Sequence, residues 1–147
     1  LPVCGFGSSS GAVILLALLS SGVQLSNVVA EGGTLSEDTG LARVFASEAS
    51  EIQNYYRCNL QSAITAIKSG IISERSNILL TWGERDPIVP MKERDEALRF
   101  LQQCPAKVST FQVGAGSHFL QHGFPMSQQD FDIYTASVVS FLCNGEL

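Results

Sequence analysis

The first thirty residues carry no Asp, Glu, Lys or Arg, and this absence constrains the fold more than any other feature of the sequence. A segment without charges is expected to be buried on most of its sides. Within it, the short apolar run LPVCGF is followed by the turn-forming residues GSSS and then by GAVILLALLSS, which is apolar at almost every position. The pattern predicts a buried strand over 1–6, a tight turn, and a buried helix over 11–21.

The rest of the chain alternates short apolar runs with helical patterns. Further strands are predicted at 26–30, 77–82 and 107–113, and helices at 42–53, 58–69, 91–103 and 127–143. In the last helix we expect the inward side chains to be Phe131, Tyr134, Val138, Phe141 and Leu142. Because strands alternate with helices, the sequence predicts an α/β fold with a mostly parallel sheet and helices on both faces.

Composition excludes several classes of function. The 147 residues suffice for one domain with a core, and 16% charged residues with a net charge of −5 offer no basic surface for nucleic acid or an anionic membrane. The apolar run 11–19 is too short to span a bilayer. No basic segment or initiator Met marks a leader peptide, so we expect a soluble chain that begins as a fragment or after processing, with its compartment undetermined.

The four cysteines are Cys4, Cys58, Cys104 and Cys143, and none forms a CxxC pair. Their wide spacing indicates neither a zinc site nor a small disulfide scaffold. Cys4 and Cys143 lie in apolar stretches and are predicted to be buried thiols. The redox environment stays open.

The turn after the first strand contains the pattern G-x-S-x-G over residues 7–11, centred on Ser9. A strand, a sharp turn and a helix are the context in which such a serine is exposed as a nucleophile. We expect a Cβ at Gly7 or Gly11 to strike neighbouring backbone, and the Ser10 N–H at the helix N-terminus to point at an oxyanion. The structural alternative is a tight turn in which Ser9 caps the helix.

A serine hydroxyl needs a base, and that base needs an orienting acid. The sequence has two histidines, and His118 lies in the loop GAGSHF after the last predicted strand. Asp86 lies in the loop GERDPIVP after the strand 77–82. The order Ser9, Asp86, His118 is that of one known triad arrangement, and all three residues follow strands, where sites of open α/β sheets collect.

Each of these residues has an alternative interpretation. Asp86 can instead cap the turn before a proline, in which case the fallback acids are Glu84 and Asp95. His122 is expected to be structural or exposed. Together with His118 it forms H-x3-H, but no third ligand is nearby in sequence, so we expect no metal site.

Three segments together resemble the α/β-hydrolase superfamily: VCGFGSSSGA at the turn, ILLTWGERDPIVP at the acid, and VGAGSHFLQHGFP at the histidine. The chain resembles the C-terminal half of that fold, with core segments at 1–40 and 71–147 and a reduced helical cap at 41–70. The histidine loop resembles that of the dehalogenase and epoxide-hydrolase branch, whose nucleophile is Asp. Serine at the centre of the turn implies ester or acyl chemistry instead.

The resemblance implies a serine hydrolase that cleaves an ester, thioester or related acyl bond of a small substrate, without cofactor or metal. It assigns Ser9 as nucleophile, His118 as base, Asp86 as acid and the Ser10 N–H as oxyanion donor. The flanking serines leave the nucleophile open among residues 8–10. A non-catalytic subunit of the same fold, or an acyltransferase with the same triad, are the alternatives.

Besides the serines that flank Ser9, the chain departs from the family in its sheet. The family's sheet has strands before the one that carries the nucleophile, and a loop among them supplies the second oxyanion donor. We expect both to come from outside these 147 residues, in the same polypeptide or another chain.

Overall fold

A computed structural model describes residues 2–36, 49–113 and 127–147, apart from the side chain of Tyr56. The described strands are β1 (Gly5–Ser8), β2 (Asn27–Glu31), β3 (Asn77–Gly83) and β4 (Lys107–Val113). The described helices are α1 (Ser10–Ser20), α2 (Ser50–Ser69), α3 (Met91–Leu101) and α4 (Gln128–Asn144). None of these helices is long and apolar enough to cross a membrane.

The strands form one sheet in the order β1-β2-β3-β4, with every neighbouring pair parallel. Ser8, Glu31 and Thr81 lie side by side in register across the first three strands. Gly83 pairs with Val113 at the end of β3 and β4. The carboxyl ends of all four strands therefore meet at one edge of the sheet, and the predicted parallel sheet is confirmed.

Alternating residues of β2 and β3 enter two different apolar clusters. Val28, Ile78 and Leu80 join the cluster that contains α1, α2 and α3 residues, whereas Val29 and Leu79 join the cluster with α4. Both faces of these strands are thus covered, which explains why NVVA and NILL read as continuous apolar runs rather than alternating ones. The predicted placement of helices on both faces is confirmed.

One continuous helix, α2, occupies most of the segment where two helices were expected. The predicted break over 54–57 is wrong, because this segment contains no Gly or Pro to interrupt a helix. Ile64 and Ile67 in the second half of α2 are fully buried in the core, whereas Ile52 and Tyr55 in the first half are exposed. The assignment of 41–70 as a reduced cap stays a prediction, and its residues 41–48 lie outside the described part.

The inward face of α4 matches the prediction except at its start. Tyr134, Val138 and Phe141 are buried and Leu142 is partly buried, but Phe131 is exposed, so its predicted inward position is wrong. The Tyr134 hydroxyl donates a hydrogen bond to Glu31, the last residue of β2, so Tyr134 lies level with the end of that strand. Phe131 lies one turn earlier and therefore lies beyond the end of the strands. The helix ends, as expected, at Gly145, which adopts a left-handed conformation with φ 75°.

The predicted burial of Cys4 and Cys143 is wrong, since both side chains are exposed. Cys4 precedes β1 and lies outside the sheet, where its thiol donates a hydrogen bond to the Leu142 carbonyl. Cys143 lies on the outer side of the last turn of α4. All four cysteines are free thiols, and partial burial raises the pKa of the Cys104 thiol. Apolar neighbours in the sequence did not imply burial, because both positions lie at the ends of their elements.

The outer edge of β1 leads to a testable expectation about association. Within the described residues β1 pairs with β2 alone, and Val3 just before it and Phe6 within it are 61% and 40% exposed. Unguarded apolar edges of this kind pair with other chains. We expect residues 1–147, expressed alone, to self-associate or precipitate, as measured by light scattering after size-exclusion chromatography.

A matched pair of substitutions tests the cause of this association. Phe6→Lys should shift the population towards monomer, because a lysine on an edge strand opposes strand pairing. Val139→Lys places the same charge on an exposed position of α4 and should leave the association unchanged. A soluble, cooperatively folding wild-type monomer would show that the exposed edge does not drive pairing.

Candidate active site

Ser9 occupies the turn between β1 and α1 with φ 57° and ψ −123°. It is the only non-glycine residue with positive φ in the described part of the chain. A conformation of this kind costs on the order of 1–3 kcal/mol for a residue with a Cβ, and it persists only where the surroundings enforce it. Strain at this residue is expected of a serine held out for chemistry on a strand-to-helix turn.

The alternative that Ser9 merely caps α1 does not describe its geometry. A capping serine has extended backbone angles and accepts a hydrogen bond from the first helical turn through its side chain. Ser9 has neither feature within this turn and helix. Its backbone is held instead: its N–H donates to the Glu31 carbonyl at 2.8 Å, and its carbonyl accepts from the Ala12 N–H at 3.1 Å.

The close approach of the β1 backbone to the α1 backbone requires a glycine at residue 7. A Cβ on Gly7 would lie 2.5 Å from the Gly11 carbonyl oxygen and 2.9 Å from the Ala12 nitrogen. The prediction for Gly7 is therefore confirmed, but the prediction for Gly11 is wrong, because a Cβ there would meet nothing within 4 Å. The backbone of Gly11 is the surface that Gly7 contacts, while its own Cβ direction points into open space.

The N-terminus of α1 favours negative charge beside Ser9. Ser10 is the first residue of the helix, so its N–H has no carbonyl partner within the helix. The first turn of α1 contains no acidic residue to offset the positive end of the helix dipole. These features suit a developing oxyanion, and the assignment of the Ser10 N–H as its donor stays a prediction.

Asp86 follows β3 and is half-buried. Its Oδ1 accepts hydrogen bonds from the backbone N–H groups of Ile88 at 2.8 Å and Val89 at 2.9 Å. Asp86 therefore does cap its turn, as the alternative proposed. A carboxylate has two oxygens with about four acceptor positions, so this cap is compatible with orienting a histidine as well.

The fallback acids are placed differently from Asp86. Glu84 and Asp95 are both exposed. Asp95 lies on the outer side of α3, 3.9 Å from the Arg94 guanidinium. Among the residues that the structure describes, no backbone N–H group holds the carboxylate of Glu84 or Asp95 as two hold Asp86, so Asp86 remains the preferred candidate for the acid.

No family model and no curated protein matches the chain, but its structure is similar to several solved ones. An esterase from Pyrococcus furiosus matches with a TM-score of 0.56 and 20% identity, over 94% of this chain and 53% of the esterase. A Paleococcus ferrophilus monoacylglycerol lipase matches with a TM-score of 0.61 and 15% identity, over 97% and 68%. The chain has the α/β-hydrolase fold.

A third similar structure is the mouse α/β hydrolase domain-containing protein 10, with a TM-score of 0.58 and 15% identity, over 99% of this chain and 63% of that one. The chain therefore spans about half to two thirds of the length of these structures. The part of the α/β-hydrolase fold that it supplies is the C-terminal part, as the sequence predicted.

Within this α/β-hydrolase sheet, Ser9 and Asp86 follow β1 and β3 at the same carboxyl edge. One strand separates them, which corresponds to about 10 Å between the strand axes. His118 and His122 lie outside the described residues. β4 runs as far as Val113, which pairs with Gly83 at that edge. The role of His118 as base stays a prediction.

Sequence reasoning missed one buried carboxylate at this edge. Glu31 is the last residue of β2 and is 0% exposed. It accepts hydrogen bonds from the hydroxyls of Ser8 and Tyr134. The available signal was its position, because it is the first charged residue of the chain and directly follows the apolar run NVVA.

Proposed function

We propose that the protein is a serine hydrolase that cleaves an ester, thioester or related acyl bond with Ser9 as nucleophile. The observation that supports this proposal most strongly is the strained backbone of Ser9 at a strand-to-helix turn, with φ 57°. Strain in a side-chain-bearing residue is retained where function requires it. The similar structures include an esterase and a monoacylglycerol lipase.

In the proposed mechanism the Ser9 hydroxyl attacks the acyl carbonyl, and His118 takes the hydroxyl proton and returns it to the leaving group. Asp86 holds the imidazole in one tautomer and stabilises its positive charge. Water then attacks the acyl–serine ester, with His118 again acting as base. The reaction needs no cofactor, because proton transfer and a polarised carbonyl suffice.

The oxyanion of the tetrahedral intermediate would accept a hydrogen bond from the Ser10 N–H at the positive end of α1. One donor removed from such a site costs roughly 10²–10³ in rate, so a second donor is expected. We propose that this donor and part of the acyl pocket come from sequence outside these 147 residues. The incomplete coverage of the similar structures supports this proposal.

A fluorophosphonate probe tests the proposal without knowledge of the substrate. The probe phosphorus bonds to an activated serine oxygen with loss of fluoride, so labelling reports the nucleophile directly. Labelling of Ser9 in the full-length chain supports the serine hydrolase. Absence of labelling would favour the non-catalytic subunit. Product analysis with an added alcohol then distinguishes hydrolysis from acyl transfer.

Asp86 offers a prediction that separates its two roles. Asp86→Asn keeps an Oδ1 acceptor for the Ile88 and Val89 N–H groups but loses the charge, so it should leave the melting temperature almost unchanged. The rate should fall by roughly 10⁴, the size of loss usual for the acid of a triad. Asp86→Ala should lose both rate and stability. Full activity in Asp86→Asn would leave the residue with its capping role alone.

A further inference from the structure

Glu31 is the most fully buried charged residue of the described ranges. It is 0% exposed, compared with 7% for Glu93 and 8% for Arg94. Removing a carboxylate from water costs several kcal/mol, and a fold retains one only when hydrogen bonds satisfy its oxygens. The hydrogen bonds of Glu31 therefore show which groups offset the free-energy cost of burying its carboxylate.

Three hydrogen bonds join Glu31 to α4 and to the turn at Ser8 and Ser9, which we call the nucleophile turn. Its Oε1 accepts from the Ser8 hydroxyl at 3.2 Å, and its Oε2 accepts from the Tyr134 hydroxyl at 2.5 Å. Its backbone carbonyl accepts from the Ser9 N–H at 2.8 Å. Glu31 thus holds Ser8 through its side chain and Ser9 through its main chain.

We infer that Glu31 is a positioning residue for the nucleophile, an inference that rests on the proposed function of Ser9. Ser9 keeps its positive φ only while its surroundings prevent relaxation. With the Ser8 side chain and the Ser9 N–H both anchored on Glu31, the peptide before Ser9 cannot rotate without breaking one of these bonds. Loss of the carboxylate would leave only the main-chain bond between Ser9 and Glu31, so the turn could relax and move the Ser9 hydroxyl.

Tyr134 extends this anchor to the helix on the far face of the sheet. Burial raises the pKa of the Tyr134 phenol, and the charge of Glu31 and its hydrogen bond raise it further. The phenol therefore stays protonated and continues to donate to Glu31 at any physiological pH. The hydrogen bond fixes α4 against the strand end beside the nucleophile turn.

Thr81 provides a matched control, because it is the register partner of Glu31 on β3 and is equally buried. Its hydroxyl lies beside that of Tyr134 and lowers the pKa of that phenol, but within the described part of the chain it is not hydrogen-bonded to Glu31, Ser8 or Ser9. Thr81→Val therefore changes a buried polar group on the same face without touching the anchor on Ser8 and Ser9.

The experiment measures the rate of fluorophosphonate labelling of Ser9 in the full-length chain, at a temperature where circular dichroism shows each variant folded. Glu31→Leu should slow labelling by about tenfold to a hundredfold, the effect of displacing a reacting group by up to an ångström. Ser8→Ala should slow it by about tenfold, and decides the question if Glu31→Leu does not fold. Thr81→Val should label at the wild-type rate.

Glu31→Gln tests whether hydrogen bonding at this position restores the labelling rate that Glu31→Leu loses. Its carboxamide can accept from Tyr134 and donate to the Ser8 hydroxyl, so labelling should stay within about threefold of wild type. Wild-type rates in Glu31→Leu and Ser8→Ala would overturn the inference, as would an equal slowing in Thr81→Val. Absence of labelling in the wild-type chain would contradict the proposed function itself, and the positioning role would fall with it.

Discussion

We expect Ser9→Ala to remove nearly all turnover while the fold stays intact. The substitution deletes only the hydroxyl, and losses of several powers of ten, up to about 10⁶, are usual for a triad nucleophile. His118→Ala should cause a loss of similar size, because the two groups act as a unit. The measurement is turnover of a chromogenic short-chain ester by the full-length chain, with circular dichroism as the check on folding.

The control for this prediction is the neighbouring serine on the helix. Ser10→Ala keeps the backbone N–H that is proposed to bind the oxyanion, and the Ser10 side chain is exposed, so activity should stay near wild type. Unchanged turnover in Ser9→Ala would transfer the role of nucleophile to Ser8 or Ser10, or end the serine hydrolase proposal. Mass spectrometry of the fluorophosphonate adduct distinguishes these outcomes by the residue that carries it.

The sequence predicted the parts of the fold that depend on local patterns. Buried strands between two helical layers are apolar throughout, so NILLTW and NVVA indicate strands by composition alone, and the alternating pattern of KVSTFQV predicts β4 over the residues that the structure shows. The turn around Ser9 was recognised because its glycines and serines stand between two apolar segments. Gly7 in particular is required by a contact only 2.5 Å from a backbone atom.

The predictions that were wrong concern positions at or near the ends of helices and strands, where a local pattern does not show how far the neighbouring elements extend. Phe131 has the right helical spacing for burial, but it lies beyond the end of the strands and so is exposed. Cys4 and Cys143 are exposed for the same kind of reason. α2 continues through 54–57, where a break was predicted, because no Gly or Pro there ends the helix.

Glu31 shows why part of the site could not be predicted. Its backbone bond to Ser9 follows from strand order, and its side-chain bond to Tyr134 joins residues 103 positions apart in sequence. Periodicity along the chain carries no information about such a pair. Only the sheet register, which places Ser8, Glu31 and Thr81 in one row, brings these groups together.

The contact between Gly7 and α1 leads to the second large prediction. Gly7→Ala should cost about 3 kcal/mol of unfolding free energy, the upper end of what forced overpacking usually costs. The added methyl group would lie 2.5 Å from the Gly11 carbonyl oxygen, which is backbone and cannot rotate away. Strand and helix would have to separate, and because Ser9 joins them, Ser9 labelling should fall by about a hundredfold even where the variant is folded.

Gly11→Ala is the matched control, since it adds the same methyl group four residues later, at the start of α1. Its Cβ meets nothing within 4 Å, and its backbone already has negative φ. A glycine-to-alanine change at such a position typically stabilises by about 0.4–1 kcal/mol, by restricting the unfolded chain. Urea denaturation of the two variants should therefore give shifts of opposite sign, while Gly11→Ala keeps its labelling rate. Equal stability of the two variants would mean that β1 and α1 are not in the tight contact that holds Ser9 in its strained conformation.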